Sequence, residues 1–168
     1  MTTFFAQPYD ISATGFYFED TESYEAKIGS IRNDYGDLVE EFEIQTIDGD
    51  LIDIECCKAI GINQANIIDV MLKLDEWDEY QKRNIILAVG ECGYAFDAAT
   101  SDPDDFDIDI YDVSSLRALA EHFVDEGLFG EIPDALQCYI DHDAITRDLG
   151  MDYTEATVAG EAVVYRCG

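Results

Sequence analysis

Residues 106–149 read FDIDIYDVSSLRALAEHFVDEGLFGEIPDALQCYIDHDAITRDL and carry the clearest strand and helix patterns of the chain. It opens with a strand pattern in which apolar residues alternate with aspartates, so one face should pack on a core and the other should meet water. The aspartates predicted to face water are Asp105, Asp107 and Asp109. Because aspartate is disfavoured in strands, this run suggests a surface that displays negative charge, although a merely solvated face is the alternative.

A helix is predicted next, because apolar residues recur at i, i+3, i+4, i+7 and i+8 and form one stripe. The stripe comprises Leu116, Leu119, Ala120, Phe123 and Val124. Ser114 is placed to cap the N-terminus, and Gly127 stands where a left-handed residue commonly follows a helix. Glu121 and Asp125 lie on or beside the polar side and add to the predicted acidic surface.

A second helix is predicted from Pro133 to about residue 148, since proline is tolerated in a first turn. Its predicted buried stripe comprises Leu136, Tyr139, Ile140 and Ala144. Asp134, Asp141 and Asp148 are spaced by seven residues, so they should lie nearly in one line along the outer face. In an alternative interpretation this helix is a dimer interface, with Tyr139 and Ile140 against a second subunit.

The chain as a whole is expected to form three sub-domains. Residues 1–60 show the patterns of a small α+β unit, residues 61–102 read as helical, and residues 103–168 hold the stretch described above. The predicted fold is therefore α+β. We expect an elongated chain of three small sub-domains with short antiparallel sheets, packed helices and a strongly acidic surface.

Turn residues predict two hairpins. Asp48-Gly49 lies between alternating segments, which predicts a hairpin whose second strand carries Ile52 and Ile54. Ala159-Gly160 separates the last two strand-like segments of the chain and predicts a closing hairpin.

The net charge narrows the classes of partner. The chain has 168 residues, with 38 acids, nine bases and a formal net charge of −29, yet 48% of its residues are hydrophobic, which indicates a folded protein. Duplex DNA carries one charge per roughly 1.7 Å of axis, so this charge matches on the order of 50 Å of duplex. Such a chain repels nucleic acids and anionic membranes, and it attracts proteins with basic working surfaces, of which DNA-binding proteins are the obvious class.

The cysteines and the hydropathy pattern indicate a cytoplasmic protein. There are five cysteines, an odd number without a CxxC pair, which favours reduced thiols. No stretch approaches the roughly 18 apolar residues of a membrane span, and the N-terminus lacks the pattern of a signal peptide.

Motifs for catalysis and cofactor binding are absent. The acidic residues 102–112 fit no EF-hand register, since Phe106 or Ile110 falls where a ligand or a glycine is required. The two histidines belong to no HExxH or zinc pattern, and no phosphate-binding loop or nucleophile elbow occurs. We therefore expect no catalytic residue, no cofactor and no metal site, and we do not expect an enzyme.

Residues 127–149 resemble the C-terminal region of the ArdA antirestriction proteins. The shared pattern is an acidic residue and glycines, then Ile-Pro, a leucine three residues after the proline, Tyr-Ile-Asp and a closing Arg-Asp-Leu. Here it comprises Glu126, Gly127, Gly130, Ile132, Pro133, Leu136, Tyr139, Ile140, Asp141, Arg147, Asp148 and Leu149. Tyr111-Asp112-Val113, Tyr9-Asp10 and Gly15-Phe16-Tyr17-Phe18 also resemble that family.

The resemblance implies an elongated, three-part α+β protein that forms homodimers and mimics bent B-form DNA. It implies as partner the basic DNA-binding groove of a Type I restriction-modification enzyme, with no cofactor and no direct binding of nucleic acid. Two alternatives stay open. One is an acidic DNA mimic that targets a CRISPR effector, a nucleoid protein or a repressor, and the other is a halophilic protein whose acids serve solubility.

Overall fold

The computed structural model describes residues 1–168 and has mixed α and β structure. The chain divides into two compact units, Met1–Phe106 and Asp107–Gly168, each with helices and a three-stranded antiparallel sheet. The prediction of an α+β fold with short antiparallel sheets is confirmed, whereas the division of the first unit near residue 60 stays a prediction. None of the helices combines the length and the apolar character needed to cross a bilayer.

The sheet of the first unit holds an aromatic core. Its strands, in the order β2-β1-β3, are β1 (Thr3–Pro8), β2 (Phe16–Phe18) and β3 (Phe42–Asp48). Because alternate residues point to one face, Phe4 and Phe18 meet across the strands with ring centroids 5.4 Å apart. Helix α1 (Thr21–Ile28) packs on this face through Tyr24, whose ring centroid lies 4.8 Å from that of Phe18.

The first unit continues with further helices, and one of them lies where a hairpin was predicted. They are α2 (Leu51–Ile60), α3 (Ile67–Leu74), α4 (Glu79–Ile85) and a π-helical continuation of α4 (Ile86–Glu91). The hairpin predicted at Asp48-Gly49 is wrong, because α2 follows this turn. Asp53, Cys56 and Cys57 recur with helical spacing and are all buried, so packing of this face decided between the strand period and the helix period.

The second unit is a sheet with two helices packed together on it. Its elements are β4 (Ile108–Tyr111), α5 (Leu116–Asp125), α6 (Asp134–Gln137), α7 (His142–Leu149), β5 (Thr154–Val158) and β6 (Glu161–Cys167). The strand order is β4-β6-β5, and the hairpin predicted around Ala159-Gly160 is confirmed. The core of this unit forms around Leu119, Phe123 and Val164.

Helix α5 follows its predicted apolar stripe. Leu119, Ala120 and Phe123 are buried, as their spacing predicts. The N-cap is Ser115 and not Ser114, since the Ser115 hydroxyl accepts a hydrogen bond from the Ala118 backbone nitrogen at 3.1 Å. Gly127 adopts the left-handed conformation that was predicted, with φ of 75°.

The strand predicted across residues 105–110 begins only at Ile108. Residues Pro103–Asp105 form a 3₁₀ turn, in which the Asp102 carboxylate accepts a hydrogen bond from the Asp104 backbone nitrogen at 3.0 Å. Proline at the first position and a capping aspartate favour this turn over a strand. Of the three aspartates predicted on the strand, only Asp109 lies in it.

The second predicted helix is two helices. Helix α6 ends at Gln137, and the Asp141 carboxylate starts α7 by accepting a hydrogen bond from the Ala144 backbone nitrogen at 3.0 Å. Asp134, Asp141 and Asp148 therefore do not form a line along one helix. A new N-cap interrupts a pattern whose apolar periodicity alone predicted continuity.

The side chains around this break are more exposed than predicted. Leu136 and Tyr139 are exposed, so their predicted burial in the core is wrong, whereas Ile140 and Ala144 are half-buried. Exposure of Leu136 and Tyr139 is compatible with the alternative interpretation of this segment as an interface.

Candidate functional site

The acidic side chains lie almost entirely at the surface. Of the 38 aspartates and glutamates, all are exposed except four. The four exceptions are Asp10, Asp53, Glu55 and Asp69. The other 34 carboxylates meet solvent, where an ionised group keeps its hydration.

Both units carry the negative charge. The first unit has 24 acids against six bases, a net charge of −18, and the second has 14 acids against three arginines, a net charge of −11. The two units are 106 and 62 residues long, so they are acidic to nearly the same extent per residue. Residues 106–149 are therefore not the only acidic part of the chain.

All eight acids predicted to bind a partner are exposed, but their settings differ. Asp105 belongs to the first unit, and the other seven belong to the second. Four of the eight carboxylates accept no hydrogen bond and take part in no ion pair. These four are Asp105, Asp125, Asp134 and Asp148.

Arginines offset part of the charge of two predicted acids. Arg117 donates from Nε to Glu121 at 3.2 Å, one helical turn away, and from Nη1 to Asp143 at the start of α7. Arg166 donates to Asp109 across the β4–β6 pair, with an Nε to Oδ2 distance of 3.1 Å. The hydrogen bond to Asp109 raises the pKa of Arg166, so this guanidinium stays charged. Asp109 and Glu121 are thus weaker candidates for binding a basic partner.

Apart from Asp105, the acids of the first unit were missed as candidate residues. In the edge strand β3, Phe42 and Ile44 are buried while Glu43 and the flanking Glu41 are exposed. The same alternation that predicts the strand also predicts its acidic outer face. A count of charges by segment would have made these acids candidates as well as those of the second unit.

One buried ion pair in the first unit is structural. Lys82 Nζ lies 2.6 Å from Asp53 Oδ1, and the two side chains are 13% and 10% exposed. The hydroxyl of Thr2 donates to the other carboxylate oxygen of Asp53 at 3.2 Å. These contacts join α2, α4 and the N-terminus, and they leave Asp53 unavailable to a partner.

The two buried cysteines of α2 offer no nucleophile. Burial raises the pKa of Cys57 to about 12 and raises that of Cys56 as well, so neither thiol ionises near neutral pH. Cys138 is an exposed free thiol. The prediction of five reduced thiols holds for these three cysteines. It is wrong for Cys92 and Cys167, which are not free thiols, because the spacing of cysteines in a sequence does not show which of them stay unpaired after folding.

No group of three or more histidine, cysteine or acidic side chains is arranged to hold a metal ion. What the geometry offers chemically is fixed negative charge on two folded units. Compared with known proteins, the chain matches no family model and no curated sequence.

Proposed function

We propose that this protein is a DNA mimic that inhibits a Type I restriction-modification enzyme by occupying its basic DNA-binding groove. The observation that carries this proposal is the exposure of nearly all of the 38 acids on two folded units that are both strongly negative. A folded body holds its carboxylates at set positions, as a duplex holds its phosphates, whereas a disordered acidic tail does not. The resemblance of residues 127–149 to ArdA proteins supports the class of target.

The mechanism is electrostatic competition. An acidic body is drawn towards a basic groove, which raises the rate of encounter, and it excludes DNA once it is bound. The strongly acidic surface and an elongated form of the chain are parts of this proposal, as is action in the cytoplasm, where incoming DNA is cut. We also expect a homodimer, which doubles the charge, and the exposed Leu136 and Tyr139 offer apolar area for a second subunit.

The test is inhibition of a purified Type I restriction enzyme on unmodified DNA, titrated with this protein at 50 mM and 300 mM NaCl. Screening shortens the range of the attraction, so the inhibitory constant should rise at least about ten-fold at the higher salt concentration. Absence of inhibition at both salt concentrations would overturn the proposal.

Distributed charge predicts how variants behave. Replacing one exposed acid, as in Asp134→Asn, should weaken inhibition less than about five-fold, in line with exposed ion pairs. The quadruple variant Asp105→Asn/Asp125→Asn/Asp134→Asn/Asp148→Asn should weaken it much more and should reduce its salt dependence. Lys58→Gln is the matched control, because it changes one exposed charged side chain and makes the protein more negative.

A different DNA-binding target is the second candidate. The same exposed charge would fit the basic surface of a nucleoid protein, a repressor or a CRISPR effector. Binding to such a protein at 50 mM NaCl, without inhibition of restriction, would favour this candidate.

A further inference from the structure

Two loops of the first unit lie together at the end of the sheet where β1 ends and β3 begins. Residues 9–15 connect β1 to β2, and residues 32–38 precede β3. We call these two segments the loop pair. The backbone nitrogen of Tyr9 donates to the Glu41 carbonyl oxygen at 3.1 Å, which fixes the start of the first loop beside β3.

Asp10 joins the two loops. Its Oδ2 accepts a hydrogen bond from Asn33 Nδ2 at 3.0 Å, and its Oδ1 accepts from the backbone nitrogen and the hydroxyl of Ser12 at 2.9 and 2.8 Å. The Ser12 hydroxyl in turn accepts from the Asp34 backbone nitrogen at 3.3 Å. The hydrogen bonds from Asn33 and Ser12 lower the pKa of Asp10, so the linking carboxylate is ionised at neutral pH.

Asn33 shapes the second loop. Its Oδ1 accepts hydrogen bonds from the backbone nitrogens of Tyr35 and Asp37 at 3.0 and 2.9 Å, and Arg32 Nη1 donates to the Gly36 carbonyl oxygen at 2.7 Å. In the first loop Gly15 approaches β1 so closely that an added Cβ would lie 2.3 Å from the carbonyl oxygen of Ala6. Both loops are therefore held in one conformation by specific contacts.

This ordered loop pair exposes large apolar side chains. Ile11 is 101% exposed, Tyr35 is 85% exposed and Tyr9 is 65% exposed. Contacts made by rigid aromatic residues cost little conformational entropy on binding, which is why tyrosine is enriched at binding hot spots. The hydrogen bonds of the loop pair thus fix the backbone that carries these side chains, although their exposed surface adds little to the core of the chain.

Exposed acids surround these side chains along the sequence. They are Asp34, Asp37, Glu40 and Glu41, against the single base Arg32, which is occupied by the Gly36 carbonyl oxygen. Exposed apolar side chains on segments that also carry exposed acids complement a surface that combines basic residues with apolar or aromatic ones. DNA-binding surfaces have this composition, because they contact phosphates with basic side chains and bases with apolar and aromatic ones.

We propose that Tyr9, Ile11 and Tyr35 anchor this protein on the DNA-binding surface of its target, where they take the place of bases while the surrounding acids take the place of phosphates. This inference rests on the proposed function and adds a source of affinity that charge alone does not supply. The acids then set the rate of association and its salt dependence, and the anchor sets the rate of dissociation.

The experiment measures binding of the full chain to the purified Type I enzyme by surface plasmon resonance at 50 mM and 300 mM NaCl. The variant Ile11→Ala/Tyr35→Ala should bind at least ten-fold more weakly, through faster dissociation, with unchanged salt dependence of the association rate. Tyr35→Phe keeps the ring and should bind as the wild type does. Leu72→Ala/Tyr80→Ala removes two other exposed apolar side chains of the same unit and is the matched control.

The outcomes separate this inference from the proposed function. Failure of the wild-type protein to bind would overturn the proposed function and this inference with it. Salt-dependent binding of the wild type together with unchanged dissociation of Ile11→Ala/Tyr35→Ala would overturn only the anchor, as would equal weakening by the control variant. Thermal unfolding of each variant should match the wild type, since the substituted side chains are exposed.

Discussion

At the scale of single residues, the buried pair of Lys82 and Asp53 makes the sharpest prediction about stability. Lys82→Met leaves the Asp53 carboxylate buried without its cation, which should lower the free energy of unfolding by about 3–5 kcal/mol. The double variant Asp53→Leu/Lys82→Met removes both charges and should lose less than the single variant does. Urea unfolding followed by circular dichroism measures both.

The control for this prediction is an exposed pair in the same unit. Lys73 Nζ lies 2.7 Å from Glu76 Oε2, but the two side chains are 42% and 63% exposed. Lys73→Met should therefore cost less than about 1 kcal/mol. Equal losses for Lys73→Met and Lys82→Met would show that burial does not set the contribution of the Lys82 pair.

The buried thiols predict how stability depends on alkaline pH. Cys57 has a pKa of about 12 in the fold against 9.0 as the ordinary value, so the unfolded chain loses this proton at lower pH than the folded chain. The contribution is fully present below pH 9 and is lost as pH rises towards 12, which makes the free energy of unfolding fall over this window. Burial also raises the pKa of Tyr24, an effect of the same sign.

Urea unfolding at pH 7, 9 and 10.5 measures this effect. The background should be Cys138→Ser, so that the exposed thiol cannot react. Adding Cys57→Ala should reduce the decline in stability between pH 9 and 10.5. A decline that is as steep without Cys57 would assign it to other groups.

At the scale of elements, the closing hairpin predicts a stabilising substitution. Ala159 and Gly160 both have positive φ, 50° and 84°, as a type I′ turn requires. An alanine is strained in this region, whereas asparagine tolerates it, so Ala159→Asn should raise the free energy of unfolding by up to about 1 kcal/mol. Thermal unfolding tests this, and Gly160→Ala should destabilise the protein. A lower melting temperature for Ala159→Asn would show that alanine is not strained there.

The elements also show where periodicity is sufficient as a guide and where it is not. The stripe of α5 was predictable, because five apolar residues repeat with helical spacing, and three of them are buried and the other two half-buried. The break between α6 and α7 was not, because the competing signal is a single hydrogen bond from Ala144 to Asp141. Phe106 shows the same limit, since its ring stacks on that of Tyr94 and it belongs to the first unit, whereas β4 belongs to the second.

At the scale of the whole molecule, a net charge of −29 predicts how folding depends on salt. The Debye length falls from about 30 Å at 0.01 M to about 8 Å at 0.15 M salt, so the melting temperature should rise by several degrees over this range as repulsion is screened. The protein should nevertheless be fully folded at 0.01 M NaCl by circular dichroism. A need for molar salt to fold would favour the halophilic alternative over a DNA mimic.

The amount and the sign of the charge, the α+β class, the stripe of α5 and the closing hairpin follow from the amino-acid sequence alone, because composition and short-range periodicity are local properties of the chain. Contacts in the folded chain determine that the residues after Asp48-Gly49 form a helix, that the last helical segment is broken, and which acids lie beside arginines. It also brought Asp10 to Asn33 and so created the loop pair. These features depend on contacts between residues far apart in the chain, and the energies of such contacts do not appear in any local pattern.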